Sequence, residues 1–328
     1  MKNKILAYGE LMMRLSPISL ENDNRENLYS SFFGGSESNV LVTLSNLKDK
    51  TEYFTKFPNN SLGKKALQHL KKHKIGCNHI ILDGDILGIY FTENNKNAKH
   101  AKVVYNRKNA VINTLSLNEF NMDELFKDIT WFHVSGISLG ISENSKNIVI
   151  ELLKYAKKHN IKTSFDFNYR PALWSIEESI KAYKEAMPYI DVCFGNTFDL
   201  KTFLLINESS PLQTIKTFFD TYNVSYLIFT NRTINSKSQN TLNAEAFYKK
   251  EDTIKNIKTE SISFEVLDRI GGGDAFDGGV IHELNKNFTN IKEAIELGLK
   301  LDVIKHSIPG DVLDLKNEEI MKKVKNLG

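Results

Sequence analysis

The stretch "DRIGGGDAFDGG" (residues 268–279) sets three glycines directly before Asp274, and the apolar residues that follow, Ala275, Phe276, Val280, Ile281 and Leu284, keep helical spacing. Residues without a Cβ let a turn adopt positive φ and bring backbone N–H groups close to a ligand. The unpaired amides of the new helix add partial positive charge, so Gly271, Gly272 and Gly273 form a candidate anion site. A carboxylate beside a phosphate cradle can accept a hydroxyl proton as that oxygen attacks a γ-phosphoryl group, while the amides stabilise the developing charge. Asp274 is therefore the candidate base, with Gly271 and Gly273 beside it in the catalytic set, and the helix terminus is expected to keep Asp274 ionised. The plainer alternative is a glycine turn that only caps a helix, with Asp274 as an acid suited to its first turn. Competing patterns are missing: there is no G-x-x-x-x-G-K-[ST], no G-x-G-x-x-G because position 276 is Phe, no H-R-D with D-F-G, no H-E-x-x-H and no G-x-S-x-G.

These residues need a scaffold, and the chain alternates short β-like runs with longer segments of helical period. Strands are expected at 5–9, 52–57, 131–136, 163–167, 191–195 and 226–230. Helices are expected at 37–47, 62–73, 144–159, 197–206, 211–222, 274–286, 291–306 and 317–327. The alternation implies a mostly parallel sheet covered by helices. Residues 10–33 and 84–110 break the rhythm. In the second, "GIYFTE" and "AKVVYNR" flank the polar turn "NNKNAKH" (94–100) and read as a hairpin, so a small lid sheet is expected there, a device that keeps water from reactive phosphate.

Composition bounds the function. A length of 328 residues is enough for a large α/β core, and a net charge of +3 is too small to argue for nucleic acid or a membrane surface. Cys77 and Cys193 are far apart and have no zinc or redox spacing, which favours a reducing, cytoplasmic home. The opening "MKNKILAYGELMMRL" imitates a signal peptide only until Glu10 and Arg14 interrupt it, and no run approaches about 18 apolar residues.

"DRIGGGDAFDGG" resembles the C-terminal signature of the ribokinase-like (PfkB) carbohydrate kinases, usually written D-T-x-G-A-G-D, with Asp274 at the catalytic-base position. "FFGGSESNVLVTLSNL" (32–47) looks like the family's Gly-Gly motif leading into a helix with a buried Asn, here Asn39. Six further stretches in the right order look like the branch of the family that acts on 2-keto-3-deoxygluconate: "GELMMRLSP" (9–17), "GIYFTE" (88–93), "VVYNR" (103–107), "HVSGISLGIS" (133–142), "SFDFNYRPALW" (164–174) and "KHSIPGD" (305–311). The resemblance implies a ribokinase-like three-layer α/β/α sandwich with a mostly parallel central sheet and a small inserted β-sheet lid. Residues 1–9, 34–83 and 111–328 would form the nucleotide- and substrate-binding domain, and 10–33 with 84–110 the lid. It implies transfer of phosphate from ATP to the sugar acid, Mg²⁺ held chiefly through the nucleotide's phosphates, and a homo-oligomer formed through the lid. Activation by a monovalent cation such as K⁺ stays open.

By that resemblance Gly34, Gly35, Asn39, Tyr90, Tyr105, Arg107, Arg170, Asp274 and Asp311 hold the sugar acid. Asn168, Tyr169, Arg170, Asn196, Thr230, Arg232 and Gly271–Gly273 lie toward the nucleotide. The residue types agree. Tyr105 and Arg107 share a face of a strand by period-2 geometry, Arg170 follows a strand end, and two guanidinium groups suit a carboxylated substrate better than a neutral hexose. The same arginines could instead be surface ion-pair partners, the two tyrosines half-buried strand residues, and Asp311 a turn residue. His133 and His306 read as structural. Two motifs depart from the family. The small-residue stretch after the "YLIFT" strand is "TNRTINSKS" (230–238), where Asn231, Arg232 and Ser236 would take over the phosphate work. The N-x-x-E motif is "NTFD" (196–199), so Asp199 offers at most a weak, water-mediated hold on magnesium. Besides a kinase for another sugar or sugar acid such as fructose, ribose or a ketogluconate, the alternatives are a silent nucleotide- and sugar-sensing protein and a nicotinamide dehydrogenase, the last disfavoured by the missing early glycine fingerprint.

Overall fold

The computed structural model describes residues 3–18, 28–93, 102–236 and 238–327. Its central sheet runs, in spatial order, Thr253–Lys258, Gln239–Lys250, Tyr226–Ile234, Val192–Phe194, Lys162–Asp166, Ile129–Ser135, Lys4–Tyr8, Lys50–Phe57 and Ile80–Leu82, with Ile262–Glu265 also pairing Gln239–Lys250. From Tyr226–Ile234 onward every pairing is parallel; the pairings involving Gln239–Lys250 are antiparallel.

Both faces of this sheet are covered, as a parallel sheet requires. Strand Lys4–Tyr8 shows why. Alternate side chains point to opposite faces, so Leu6 and Tyr8 join one core with Ile148, Leu152, Tyr183 and Phe218, while Ile5 and Ala7 join another with Val40, Leu44, Phe276, Val280 and Leu299. Helices Glu143–Lys158, Ile176–Ala186 and Pro211–Thr221 therefore lie on the first face, and Ser36–Asn46, Gly272–Lys286 and Ile291–Lys305 on the second. The helix-covered, mostly parallel sheet expected from the pattern is present, in the three layers that the resemblance implies.

A second, four-stranded sheet runs Tyr29–Gly34, Met12–Pro17, Ile89–Glu93 and Lys102–Asn106. Its outer pairings are antiparallel and its central one parallel. The expected hairpin is thus seen as a strand pair; the expected turn at 94–100 lies outside the described residues.

Several elements differ from the pattern reading, among them strands Ile80–Leu82, Thr253–Lys258 and Ile262–Glu265, where no strand is expected. Helix Ile176–Ala186 was not expected, because its buried face is Ser179, Ala182, Tyr183 and Ala186, too small and polar to give an apolar stripe. Strand Gln239–Lys250 buries Asn240, Leu242, Ala244 and Ala246, and an inward asparagine among alanines likewise hides its alternation. The strand expected to stop at 230 continues to Ile234 because it pairs with this unexpected neighbour.

Candidate active site

Open parallel sheets bind ligands beyond the carboxyl ends of their strands, and a cavity of about 740 Å³ lies there, with Asp166 at the end of strand Lys162–Asp166 in its wall. Twelve of the expected residues line it: Gly34, Gly35, Asn39, Tyr90, Tyr105, Asn168, Arg170, Arg232, Gly271, Gly273, Asp274 and Asp311.

Asp274 stands in the first turn of helix Gly272–Lys286. Its Oδ1 accepts from Ser36 Oγ at 2.8 Å and its Oδ2 from Asn39 Nδ2 at 2.7 Å, while Asn168 Nδ2 donates to Ser36 Oγ at 2.9 Å. The start of helix Ser36–Asn46 and the start of the late helix are thus tied together through the carboxylate. Burial pushes the Asp274 pKa up, and the bonds from Asn39 and Ser36 and the charges of Arg170 and Lys305 oppose that rise only in part. A carboxylate raised in this way is the better proton acceptor.

Gly271 has φ +84, and a Cβ there would collide with the Asp311 carbonyl, so the turn requires glycine. Gly272 backs onto Asp302 and His306, away from the cavity, whereas a Cβ on Gly273 would meet nothing within 4 Å. The turn therefore presents an open backbone surface to the cavity beside Arg232 and Arg269. Such a surface fits the phosphates of a nucleotide.

Next to the turn, the Tyr90 hydroxyl donates to Asp311 Oδ1, and Arg14 Nη1 lies 3.2 Å from Asp311 Oδ2. Burial raises Asp311 to about 6 against the pull of Arg14. Arg14 also pairs with Asp268 at 3.0 Å, and the rings of Tyr90 and Tyr105 lie 5.9 Å apart. Arg170 is exposed, and the bond the structure gives its guanidinium is from Nη1 to the Tyr169 carbonyl at 3.2 Å.

The remaining candidates stand off the cavity. Arg107 lies one residue past the end of strand Lys102–Asn106, so the alternation that directs Tyr105 inward does not carry to it. Its guanidinium pairs with the buried Glu10 and lies 5.8 Å from the Tyr105 ring centroid. Tyr169 donates to the Trp174 carbonyl and packs on Phe203. Thr230 is paired with Ala244 within the antiparallel hairpin. Asn196 caps helix Thr197–Phe203, and Asp199 Oδ2 accepts from the Asn196 amide at 2.8 Å in a capping box. That carboxylate serves the helix terminus, and among the described residues no group of three or more His, Cys, Asp or Glu could hold a metal ion. The open turn beside Arg232 and Arg269 suits phosphates, which would bring a magnesium ion with them. His133 and His306 are fully buried, as expected of structural residues.

Asp166, Ser36, Arg269 and Arg14 escaped the sequence reading. Asp166 lines the cavity, and burial, then the neighbouring Asp274 charge, raises it to about 8. Its signal was its place at a strand end two residues before Asn168. Nothing local marks Arg14, whose partner Asp311 lies 297 residues away.

A parallel sheet, a glycine turn at a late helix and an aspartate in its first turn are the parts from which a phosphoryl-transfer site on an α/β scaffold can be built. Residues 2–301 match the pfkB family of carbohydrate kinases, and the chain belongs to that family; it is a sugar kinase. It is 25% identical over 321 residues to the 2-dehydro-3-deoxygalactonokinase of Haloferax volcanii, covering 98% of this chain and 96% of that one. The 2-dehydro-3-deoxygluconokinase of Bacillus subtilis is 25% identical over 322 residues, covering 97% and 94%. The crystal structure of the 2-dehydro-3-deoxygluconokinase of Thermotoga maritima matches with a TM-score of 0.89 at 29% identity, covering 98% and 99%. The crystal structure of a "putative Ribokinase II" from E. coli in complex with ATP and Mg²⁺ shares the fold, with a TM-score of 0.80 at 18% identity, covering 99% and 99%. Among the described residues no helix is long and apolar enough to cross a membrane.

Proposed function

We propose that this kinase phosphorylates the 6-hydroxyl of 2-dehydro-3-deoxygluconate (2-keto-3-deoxygluconate), giving the 6-phosphate and ADP. One observation carries the reading: the carboxylate of Asp274 shares one cavity with an open glycine turn and with the side chains of Tyr90, Tyr105, Asp311 and Arg170. ATP supplies the γ-phosphoryl group. Asp274 orients the acceptor hydroxyl and takes its proton as the new O–P bond forms and the bond to the β-phosphate oxygen breaks. Gly271–Gly273, with Arg232 and Asn168 nearby, offer donors to the transferring group.

Recognition of the acid falls to Arg170 in this conformation, because Glu10 already neutralises Arg107. A guanidinium with free edges pairs with a carboxylate in bidentate fashion, a demand a neutral hexose does not make. The small sheet serves as a lid whose strands carry Met12, Tyr90 and Tyr105 into the cavity wall. Its edge strands expose Tyr29 and Val104, which suits self-association of copies through this sheet. A cytoplasmic setting follows from the reduced cysteines and the metabolite.

An ADP-release assay across 2-dehydro-3-deoxygluconate, its galactonate counterpart, ketogluconates, fructose and ribose tests the reading. The expected result is a kcat/KM for the 2-dehydro-3-deoxy acid at least about tenfold above every neutral sugar, the discrimination that one buried ionic contact supplies. Preference for a neutral sugar would overturn it.

A further inference from the structure

Behind the glycine turn lies a lysine with no part in the scheme above. Lys305 is fully buried, and its Nζ donates to the Ile308 carbonyl at 3.0 Å. No carboxylate among the described residues comes within the 4.0 Å of an ion pair with it. Its Cε would lie 3.4 Å from a Cβ placed on Gly271. The end of the lysine side chain therefore lies against the turn whose backbone faces the cavity. A buried charge without an ion-pair partner is expensive, and such a group next to a binding cleft points to function over stability. The charges that face it are Asp268 and Arg14 across the turn, Asp274 from the late helix and Asp302 from its own helix; burial nonetheless pushes the ammonium down to about 8. Lys305 is in turn one of the charges that oppose the rise of the Asp274 pKa.

We propose that Lys305 is a positioning residue for phosphoryl transfer: a built-in cation that acts through the Gly271–Gly273 turn, makes the cradle attractive to the transferring group and favours the ionised form of Asp274. The proposal rests on the kinase reading above, whichever sugar acid is the acceptor. It separates cleanly from a packing role, because an apolar side chain would fill the same space without the desolvation cost.

The test compares the native enzyme with Lys305→Met and Lys305→Ala. For Lys305→Met, kcat should fall roughly 10- to 100-fold, the range for losing one preorganised electrostatic donor, with KM for the sugar acid within about twofold. The acid limb of its kcat/KM profile should move to higher pH, because Asp274 loses a neighbouring cation. Its melting temperature at pH 7 should equal or exceed the native value. That gap should close as pH rises from 8 to the ordinary lysine range, since the native lysine then sheds its proton in the folded state and no longer carries a buried charge. Methylammonium should restore kcat in Lys305→Ala, and tetramethylammonium should not.

Should neither variant fold, the native enzyme decides. Its kcat/KM for ATP should show an alkaline limb near pH 8 that shifts with temperature as an ammonium does. Asp166 titrates in the same region, but a carboxylate limb barely moves with temperature. A native profile flat through that region, or a Lys305→Met enzyme with kcat within about twofold of native and an unmoved acid limb, would overturn the proposal. If the enzyme prefers a neutral sugar, the acceptor assignment fails and the same Lys305 comparisons are read on that sugar.

Discussion

Asn39 Nδ2 donates to Asp274 Oδ2 at 2.7 Å across 235 residues of chain, and this bond joins the glycine-led helix near the start of the chain to the late helix that carries the base. It favours the charged form of a carboxylate that burial pushes the other way. Asn39→Leu removes a charge-assisted hydrogen bond worth about 1.5–3 kcal/mol, equivalent to roughly one to two pH units. Since the base must be deprotonated to act, the acid limb of kcat/KM should move upward by about that amount. A pH–rate profile of the variant checks it, and an unmoved limb means that Asn39 does not tune the base.

Asp274→Asn keeps the size of the side chain and removes the proton acceptor. Turnover should fall about 10²- to 10⁴-fold, the usual worth of a positioned base, while nucleotide and sugar-acid affinity measured by calorimetry stays within about threefold. Retained turnover would reduce Asp274 to a helix-capping acid.

Arg170 is exposed at the end of a parallel strand, where its guanidinium has capacity left for an incoming carboxylate. Arg170→Gln should raise KM for the sugar acid roughly 10- to 100-fold, as expected for one lost ionic hydrogen-bond pair. Its kcat/KM for a neutral ketose should hardly change. Equal losses on both acceptors would place Arg170 on the nucleotide instead.

The sequence made legible those residues whose chemistry is written locally. Gly271, Gly273 and Asp274 are adjacent in the chain, so type and spacing alone announce a bare turn beside an acid. Gly34 and Asn39 are legible only through the resemblance of their motif to the family's. Arg107 shows the limit: residue type suggested a substrate contact, but the choice between substrate and Glu10 depends on how a strand end packs against the segment after Lys4–Tyr8. The Arg14, Asp268 and Asp311 cluster is illegible for a related reason, because each partner lies in a different quoted motif and only the fold brings them within 3.2 Å. The nucleotide-side residues Thr230 and Asn196 were drawn from family position alone. The structure gives them local tasks, a strand pairing and a helix cap, which a motif comparison cannot reveal.

Glu10 is buried and the Arg107 side chain is 9% exposed, and burial raises the Glu10 pKa against the pull of the guanidinium. Removing one partner strands the other charge, which typically costs about 3–5 kcal/mol. Arg107→Met should therefore lower stability by that order in denaturant titration, and adding Glu10→Gln should recover most of it. Activity then separates the two roles: if the double variant is stable yet binds the sugar acid poorly, Arg107 reaches the substrate in a conformation other than the one described.

Gly271 and Gly273 occupy the same turn under different constraints. At Gly271, φ of +84 and the Asp311 carbonyl both exclude a side chain, so Gly271→Ala combines left-handed strain with a collision against backbone. The strain alone costs about 1–3 kcal/mol, and the turn must shift to relieve the collision. Stability and kcat should therefore fall together. At Gly273 a methyl group would meet nothing within 4 Å and the backbone is helical. Helix propensity then favours alanine by roughly 0.5–1 kcal/mol, so Gly273→Ala should melt at the native temperature or slightly above it. Its methyl would nonetheless stand in the space that an approaching phosphate needs, so KM for ATP should rise several-fold with KM for the sugar acid unchanged. A Gly273→Ala enzyme with native KM for ATP would show that the phosphates approach the turn from another side.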